Sequence, residues 1–306
     1  MQQKLKNRAA KLSIASNSTL VLLKLGAGIS MHSVSVISEA AHSGIDLVAA
    51  LIAYLSVRES GKPADETHRF GHGKFENVAA VIEALLILAA ALFIIVEGVK
   101  KLISGRIVIE QLDAGAAVMA ISAMANFLVS SHLRRVARST DSAALEADAM
   151  HLRTDVYTSV GVFAGLIAIR LTGLGLFDPL CAIGIALLII KTAFGLIRCS
   201  IRNILDARLP DEEESIIHQV MSLHASQFLE YHKLRTRKSG HIRQIDMHLV
   251  VPKGLTVEAG HALSHTISRQ IEERLDYSQV LVHIEPCRAD CEGCLVDCSY
   301  RDEGRK

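Results

Sequence analysis

Two short stretches of this 306-residue chain repeat one arrangement of metal-ligand side chains: Glu39-Ala-Ala-His42-Ser-Gly-Ile-Asp46 and Asp148-Ala-Met-His151-Leu-Arg-Thr-Asp155. Both read acid-x-x-His-x-x-x-Asp. Residues four apart share a helix face, so His42 with Asp46, and His151 with Asp155, each present one imidazole and one carboxylate in one direction. Two such helices set face to face would close a four-ligand cage. Two nitrogens and two carboxylate oxygens suit tetrahedral Zn²⁺, whereas Mg²⁺ and Ca²⁺ ask for more oxygens. Ligand softness also admits Fe²⁺, Cd²⁺, Co²⁺ or Ni²⁺. The competing reading is plain hydrogen bonding between packed helices, which does not call for a matched pair of motifs.

The elements that must carry these stretches are apolar. Half of the residues are hydrophobic, 21% are charged, and tryptophan is absent. That mixture predicts apolar blocks beside a polar domain. A helix needs about 20 apolar residues to cross a hydrocarbon core of about 30 Å. Six segments are predicted to do so: Leu12 to Ser30, Ser33 to Val57, Asn77 to Leu102, Ala114 to Leu133, Ala143 to Leu171 and Phe177 to Ile197. The second and fifth hold the two motifs, so hydropathy alone ranks them lowest. Charged groups buried in a bilayer cost at least about 2.5 to 3.5 kcal/mol each, and a bound divalent cation offsets that cost.

Lysine and arginine in the connections orient the segments. Lys4, Lys6, Arg8 and Lys11, then Arg58, Lys62, Arg69 and Lys74, then Arg134, Arg135 and Arg138 fall on one side, which predicts cytoplasmic termini; Lys100, Lys101 and Arg106 run against the rule. The first residues lack the short apolar core and small-residue site of a cleaved signal, so the chain is expected to be inserted as a multi-pass protein of the cell membrane, inner or plasma. With a net charge of +1 and no basic patch interleaved with aromatics, nucleic acid is excluded as a partner.

From about residue 201 the pattern becomes soluble. Pro210 precedes an acidic first turn, Asp211 to Glu214, suited to a helix N-terminus. Alternating apolar residues at Ile245, Met247, Leu249 and Val251, and at Val280, Val282 and Ile284, read as strands. A helix over Thr256 to Leu275 and a strand near Phe228 to Arg235 complete an α-β-β-α-β order. The expected organisation is a six-helix transport domain over 1–200, an α+β cytoplasmic domain over 201–286, and a cysteine-rich tail over 287–306. In that tail Cys287, Cys291, Cys294 and Cys298 permit a Cys₄ site. Reduced cytoplasmic thiols favour metal over disulfides, with Zn²⁺ capture leading and an iron–sulfur cluster, a redox-sensitive tail or simple disorder left open.

With the loop string His68-Arg-Phe-Gly-His72-Gly-Lys74-Phe-Glu76 added to the paired motifs, the six segments and the tail domain, nearly the whole chain resembles the cation diffusion facilitator family. The resemblance implies an α-helical membrane protein with a ferredoxin-like, metallochaperone-like cytoplasmic domain, acting as a homodimer in the lipid bilayer. His42, Asp46, His151 and Asp155 match its transport site, and members with His and Asp in both helices are zinc-preferring exporters that exchange metal for protons by alternating access. Asp65, His68 and His72 match a second metal position. His232, His248, His261, His283 and Glu285 match a cytoplasmic metal cluster at a dimer interface, with a regulatory role. Glu39 and Asp148 either relay ions or support the ligands. Outside the family, a membrane metalloenzyme or a metal-sensing receptor would use similar ligands, but no nucleophile motif such as GxSxG or HExxH is present, and a transporter is expected instead of an enzyme.

Overall fold

The long apolar runs form six helices: α1 (Gln2–Ser30), α2 (Val34–Ser60), α3 (Phe75–Ser104), α4 (Ala114–Thr140), α5 (Ala143–Thr172) and α6 (Phe177–Ile204). The computed structural model describes residues 2–30, 34–104, 114–172 and 176–288. Arg106, Cys291, Cys294 and Cys298 therefore lie outside the described residues. The shortest of the six helices has 27 residues, about 40 Å at 1.5 Å per residue, enough to cross a bilayer. Among the described residues, four of them combine that length with sufficient apolar character, over Gln2–Ser30, Glu39–Ser60, Phe75–Ile103 and Pro179–Ile204. Among the described residues, these four meet the expectation of apolar spans in α1, α2, α3 and α6.

Side-chain size is sorted as lipid requires. Ala10, Ala49, Ala50, Ala53, Ala84, Ala91, Ala186 and Ala193 are fully buried, while Leu22, Phe93, Leu128 and Leu187 face outward and are more than half exposed. Water would drive such a surface to associate. In a membrane it is the solvated face, and small residues at the contacts let backbones come close. At Gly28 an added Cβ would stand 2.8 Å from the Ile37 side chain and 3.0 Å from its backbone nitrogen, so α1 and α2 can approach there only without a side chain. The helices pack chiefly as α1 with α2, α3 with α6 and α4 with α5, and α2 and α5 also meet directly.

The chain divides into two compact units, 1–204 and 205–306. The second is built from α7 (Asp211–Leu223), β1 (Glu230–Ser239), β2 (Ile242–Val251), α8 (Val257–Arg274) and β3 (Ser278–Pro286), the expected α-β-β-α-β order. Its sheet runs β1-β2-β3, with β1 antiparallel and β3 parallel to β2. Four acidic residues fill the first turn of α7, where they meet the positive end of the helix dipole. Thr256 caps α8, its hydroxyl accepting from the Ala259 amide at 3.2 Å. Strand residues two apart share a face, so Ile245, Met247, Leu249 and Val251 enter one core with Ile217, Val220 and Met221 of α7 and Leu263, Ile267 and Ile271 of α8. The even-numbered residues of β2 face the other way, and His248 is among them.

Strand β1 extends beyond its expected bounds because its period is interrupted. Lys233 has φ +50, and the register slips between His232 and Arg235, a bulge. That slip lets Thr236 and Ser239 be buried further along and hides the alternation that would mark the strand.

Candidate metal centre

The α-helical spacing does what it promises at the first motif pair. His151 Nε2 on α5 stands 3.0 Å from Asp46 Oδ1 on α2, and His42 Nε2 on α2 stands 3.8 Å from Asp155 Oδ1 on α5. Each imidazole thus faces the carboxylate of the opposite helix. His42, Asp46 and Asp155 each offer a ligand atom within 4.8 Å of the other two, and His151 joins them through Asp46. Zn²⁺ bonds of about 2.0 to 2.2 Å in a tetrahedron set ligand atoms about 3.3 to 3.6 Å apart; His42, Asp46 and Asp155 approach that spacing, whereas His151 lies outside their mutual group and touches it through Asp46 alone. Asp46 and His151 are buried, while the His42 side chain is 48% exposed, which makes His42 the open edge of the cluster.

Neighbouring polar groups hold these ligands. Asn126 of α4 donates to Asp155 Oδ2 at 3.2 Å, fixing a ligand from a third helix in the way outer partners orient metal sites. Lys24 of α1 donates to Ser43 Oγ at 2.8 Å and to Glu39 Oε2 at 3.3 Å. Glu39 is therefore tied to α1. Asp148, one turn before His151, is fully buried, as is Glu83 on α3, and neither carboxylate has a hydrogen-bond partner among the described residues. Neither Asn126, Lys24 nor Glu83 stands out in the sequence, although an asparagine inside an apolar segment is the kind of residue that marks a helix contact.

The loop after α2 gathers a second group. Asp65, His68 and His72 bring ligand atoms within 4.8 Å of one another, and the two rings lie 4.4 Å apart. Asp65 Oδ1 accepts the backbone amides of Thr67 and His68, and Gly71, at φ +79, closes the turn with an N–H to the His68 carbonyl. The hydrogen bonds from the His68 amide and from Thr67 hold the Asp65 carboxyl down to about 2, so it is ionised at any physiological pH. His72 is buried, with Nδ1 3.2 Å from the Pro63 carbonyl and Nε2 3.3 Å from Asp65. A carbonyl can only accept, so that contact places the proton on Nδ1 and leaves Nε2 free to ligate.

In the second unit the register aligns three histidines across the sheet. His232 pairs with His248, and His248 with His283, with ring centroids 5.5 and 4.8 Å apart. Glu285, two residues beyond His283 on the same face, lies 2.6 Å from His248 Nδ1, 3.4 Å from His232 Nε2 and 3.8 Å from His283 Nε2. The His248 hydrogen bond holds the Glu285 carboxyl below the usual range. His232, His248 and Glu285 form the tightest group. His261 is not with them: it is exposed on α8 beside His265, and α8 covers the opposite, core-forming face of the sheet. Within one chain the sheet separates it from the histidine row. Cys287 donates its backbone N–H to Val251 at 2.9 Å, which extends the β2–β3 pairing past Glu285.

A further polar cluster was not anticipated from the sequence. Glu76 accepts from Lys6 Nζ at 2.9 Å and from Ser60 Oγ at 2.7 Å, and from the Ser142 hydroxyl. All four residues are buried.

Residues 10–205 match the family described as cation efflux transmembrane domain, and residues 209–287 match the cation efflux protein cytoplasmic domain. The uncharacterized transporter sll1263 of Synechocystis sp. is 35% identical over 286 residues, covering 94% of this chain and 92% of that protein. The cation-efflux pump FieF of Serratia proteamaculans is 33% identical over 285 residues, 93% and 94% of the two chains. FieF of Escherichia coli is 33% identical over 286 residues, again 93% and 94%. A solved structure of CzrB in its zinc form shares 32% identity, covering 26% of this chain and 90% of that one, with a TM-score of 0.25.

Proposed function

Because this chain belongs to the cation efflux family, the cation diffusion facilitators, we propose that it exports a divalent transition-metal ion, Zn²⁺ first among them, from the cytoplasm in exchange for protons. The family places it among membrane transporters of metal cations and not among enzymes. The relatives named as cation-efflux pumps support the direction of transport. The observation that carries the metal assignment is the crossed pairing of α2 and α5, His151 with Asp46 and His42 with Asp155. Two nitrogens and two carboxylates favour Zn²⁺, and Fe²⁺, Cd²⁺, Co²⁺ and Ni²⁺ are the competitors.

Proton exchange follows from the same donors. A histidine must be neutral to bind metal, so protons and metal compete for one cluster. Asp148 and Glu83, buried among helices, are of the kind that marks ion or proton pathways in membranes. Alternating access requires the cluster to open to each side in turn, with His42 at its open edge.

Purified protein in sealed proteoliposomes is expected to accumulate Zn²⁺ when an interior-acid pH gradient drives protons outward in exchange, with Cd²⁺ and Fe²⁺ competing and Mg²⁺ inert. Zinc movement indifferent to the gradient would remove the antiport; metal binding without any movement would favour the sensing receptor.

The tail is assigned a regulatory metal. His232, His248, His283 and Glu285 on the exposed sheet face would hold it, and His261 of a second copy would complete it, so the working unit of this reading is a homodimer. A metal bridging two tails biases the paired chains toward one state. With His232→Ala and His261→Ala together, calorimetry should find the tail's zinc affinity lowered at least ~10-fold and zinc-dependent tightening of the dimer gone, with transport-site binding kept. Unchanged tightening in that variant rules the role out.

A further inference from the structure

Near one end of α4, a cavity of about 530 Å³ is lined by Ser131, Arg134, Arg135, Arg138 and Ser139, with Arg153 reaching it from α5. None of these residues belongs to the metal clusters. Arg134, Arg135 and Arg138 were read above as orienting charges and Arg153 was not singled out, yet all four are gathered around one space. Among the described residues none of the four guanidinium groups is drawn into an ion pair with a carboxylate. Four clustered cations repel one another, and in a site bounded by protein and lipid that repulsion is relieved by an anion.

The surroundings say which anion. Residues seven apart on a helix share a face. Met124, Ser131 and Arg138 form one such line on α4, and Ile121, Leu128 and Arg135 form another. Ile121, Met124 and Leu128 are 55%, 60% and 61% exposed, so each line runs from an outward apolar belt directly into the arginines. On α5, Arg153, Tyr157 and Val160 repeat the progression, with Tyr157 36% and Val160 60% exposed. A tyrosine between apolar and basic groups is the arrangement of a membrane interface. The site thus offers a groove for hydrocarbon chains on one side and forked donors for phosphate on the other.

We infer that this cavity is a binding site for an anionic phospholipid, with its phosphate held by Arg134, Arg135, Arg138 and Arg153 and its acyl chains along Ile121, Met124, Leu128 and Val160. Four positive charges exceed what a single phosphodiester neutralises, so a lipid with two phosphodiesters is preferred over one with a single charge. Basic pockets between membrane helices recognise such head groups elsewhere on the same physical ground. The inference needs α4 and α5 to lie in a bilayer, but not the metal or proton assignments.

The test uses the full chain, delipidated in detergent, titrated separately with diphosphatidylglycerol, phosphatidylglycerol, phosphatidylcholine and inorganic phosphate, and read by native mass spectrometry and by melting temperature. The expected order is diphosphatidylglycerol, then phosphatidylglycerol, with the other two lacking effect. Arg134→Gln with Arg153→Gln should weaken retention at least ~20-fold, while Arg58→Gln, which removes a charge at the end of α2, should not. Arg135→Gln and Arg138→Gln alter exposed side chains and should each weaken retention even if the first variant does not fold. Equal stabilisation by phosphatidylcholine overturns the site, equal binding of inorganic phosphate reduces it to a free-anion site, and equal loss in Arg58→Gln reduces it to diffuse surface charge. Zinc flux measured in the same preparations reports separately on the transport reading.

Discussion

Alanine at Asp46 or at Asp155 is expected to lower proton-driven zinc uptake into proteoliposomes by about 100-fold or more, the upper end of what even a supporting residue of a metal site commands. Each substitution removes one of four donors, and by the crossed pairing each also deprives a histidine of the carboxylate facing it: His151 in the first case, His42 in the second. The loss should not come from misfolding. Asp46→Ala leaves a buried imidazole unpaired, at about 1 to 3 kcal/mol, but it also withdraws a carboxylate whose placement in a membrane costs about 2.5 to 3.5 kcal/mol. The two nearly offset, so the variant should run as wild type in size exclusion and circular dichroism. Asp155→Ala differs in one respect. Its carboxylate also takes a hydrogen bond from Asn126, so α4 loses an attachment to the site as well, and this variant should be the less stable of the two. Uptake that survives in both would mean that the ion passes elsewhere.

Much of this site is legible in sequence because one number governs it: residues four apart on a helix face the same way, and both motifs use that interval. The tail histidines were legible for a similar reason, since the two-residue period of a strand puts His283 and Glu285 on one side. What sets the three histidines level is cross-strand register: the parallel β2–β3 pairing aligns His248 with His283, and the bulge at Lys233, which no local pattern announces, falls just past the pairing of His232 with His248. The separation of His261 from its expected companions is likewise a matter of which sheet face α8 covers. In the membrane unit, Asn126 acts on the ligand Asp155, 29 residues away, and Lys24 on Glu39, 15 residues away, distances at which sequence spacing carries no geometric information. The arginines near the end of α4 read in sequence as orienting charges, and only the fold gathers them around one space.

The largest effect on stability should come from Lys6 and Glu76. Their ion pair, 2.9 Å long between side chains only 1% and 2% exposed, joins α1 to the first turn of α3. Ser60 at the end of α2 and Ser142 at the start of α5 donate to the same carboxylate, so one anion ties four helices at one end of the unit. It also lies four residues beyond His72 and fixes the start of the helix that follows the loop ligands. Glu76 gains further from the positive end of α3. Removing one partner of such a pair leaves the other charge buried, at about 3 to 5 kcal/mol. Lys6→Met and Glu76→Leu should therefore each lower the unfolding midpoint in mixed micelles sharply. Together they should recover most of the loss, because two apolar side chains leave no stranded charge, while Ser60 keeps the Val57 carbonyl as an acceptor and Ser142 keeps the Leu145 amide as a donor. Single variants that unfold like the wild type would show that water reaches this cluster. A double variant no better than the worse single would show that the four-helix tie, and not the buried charge, sets the stability.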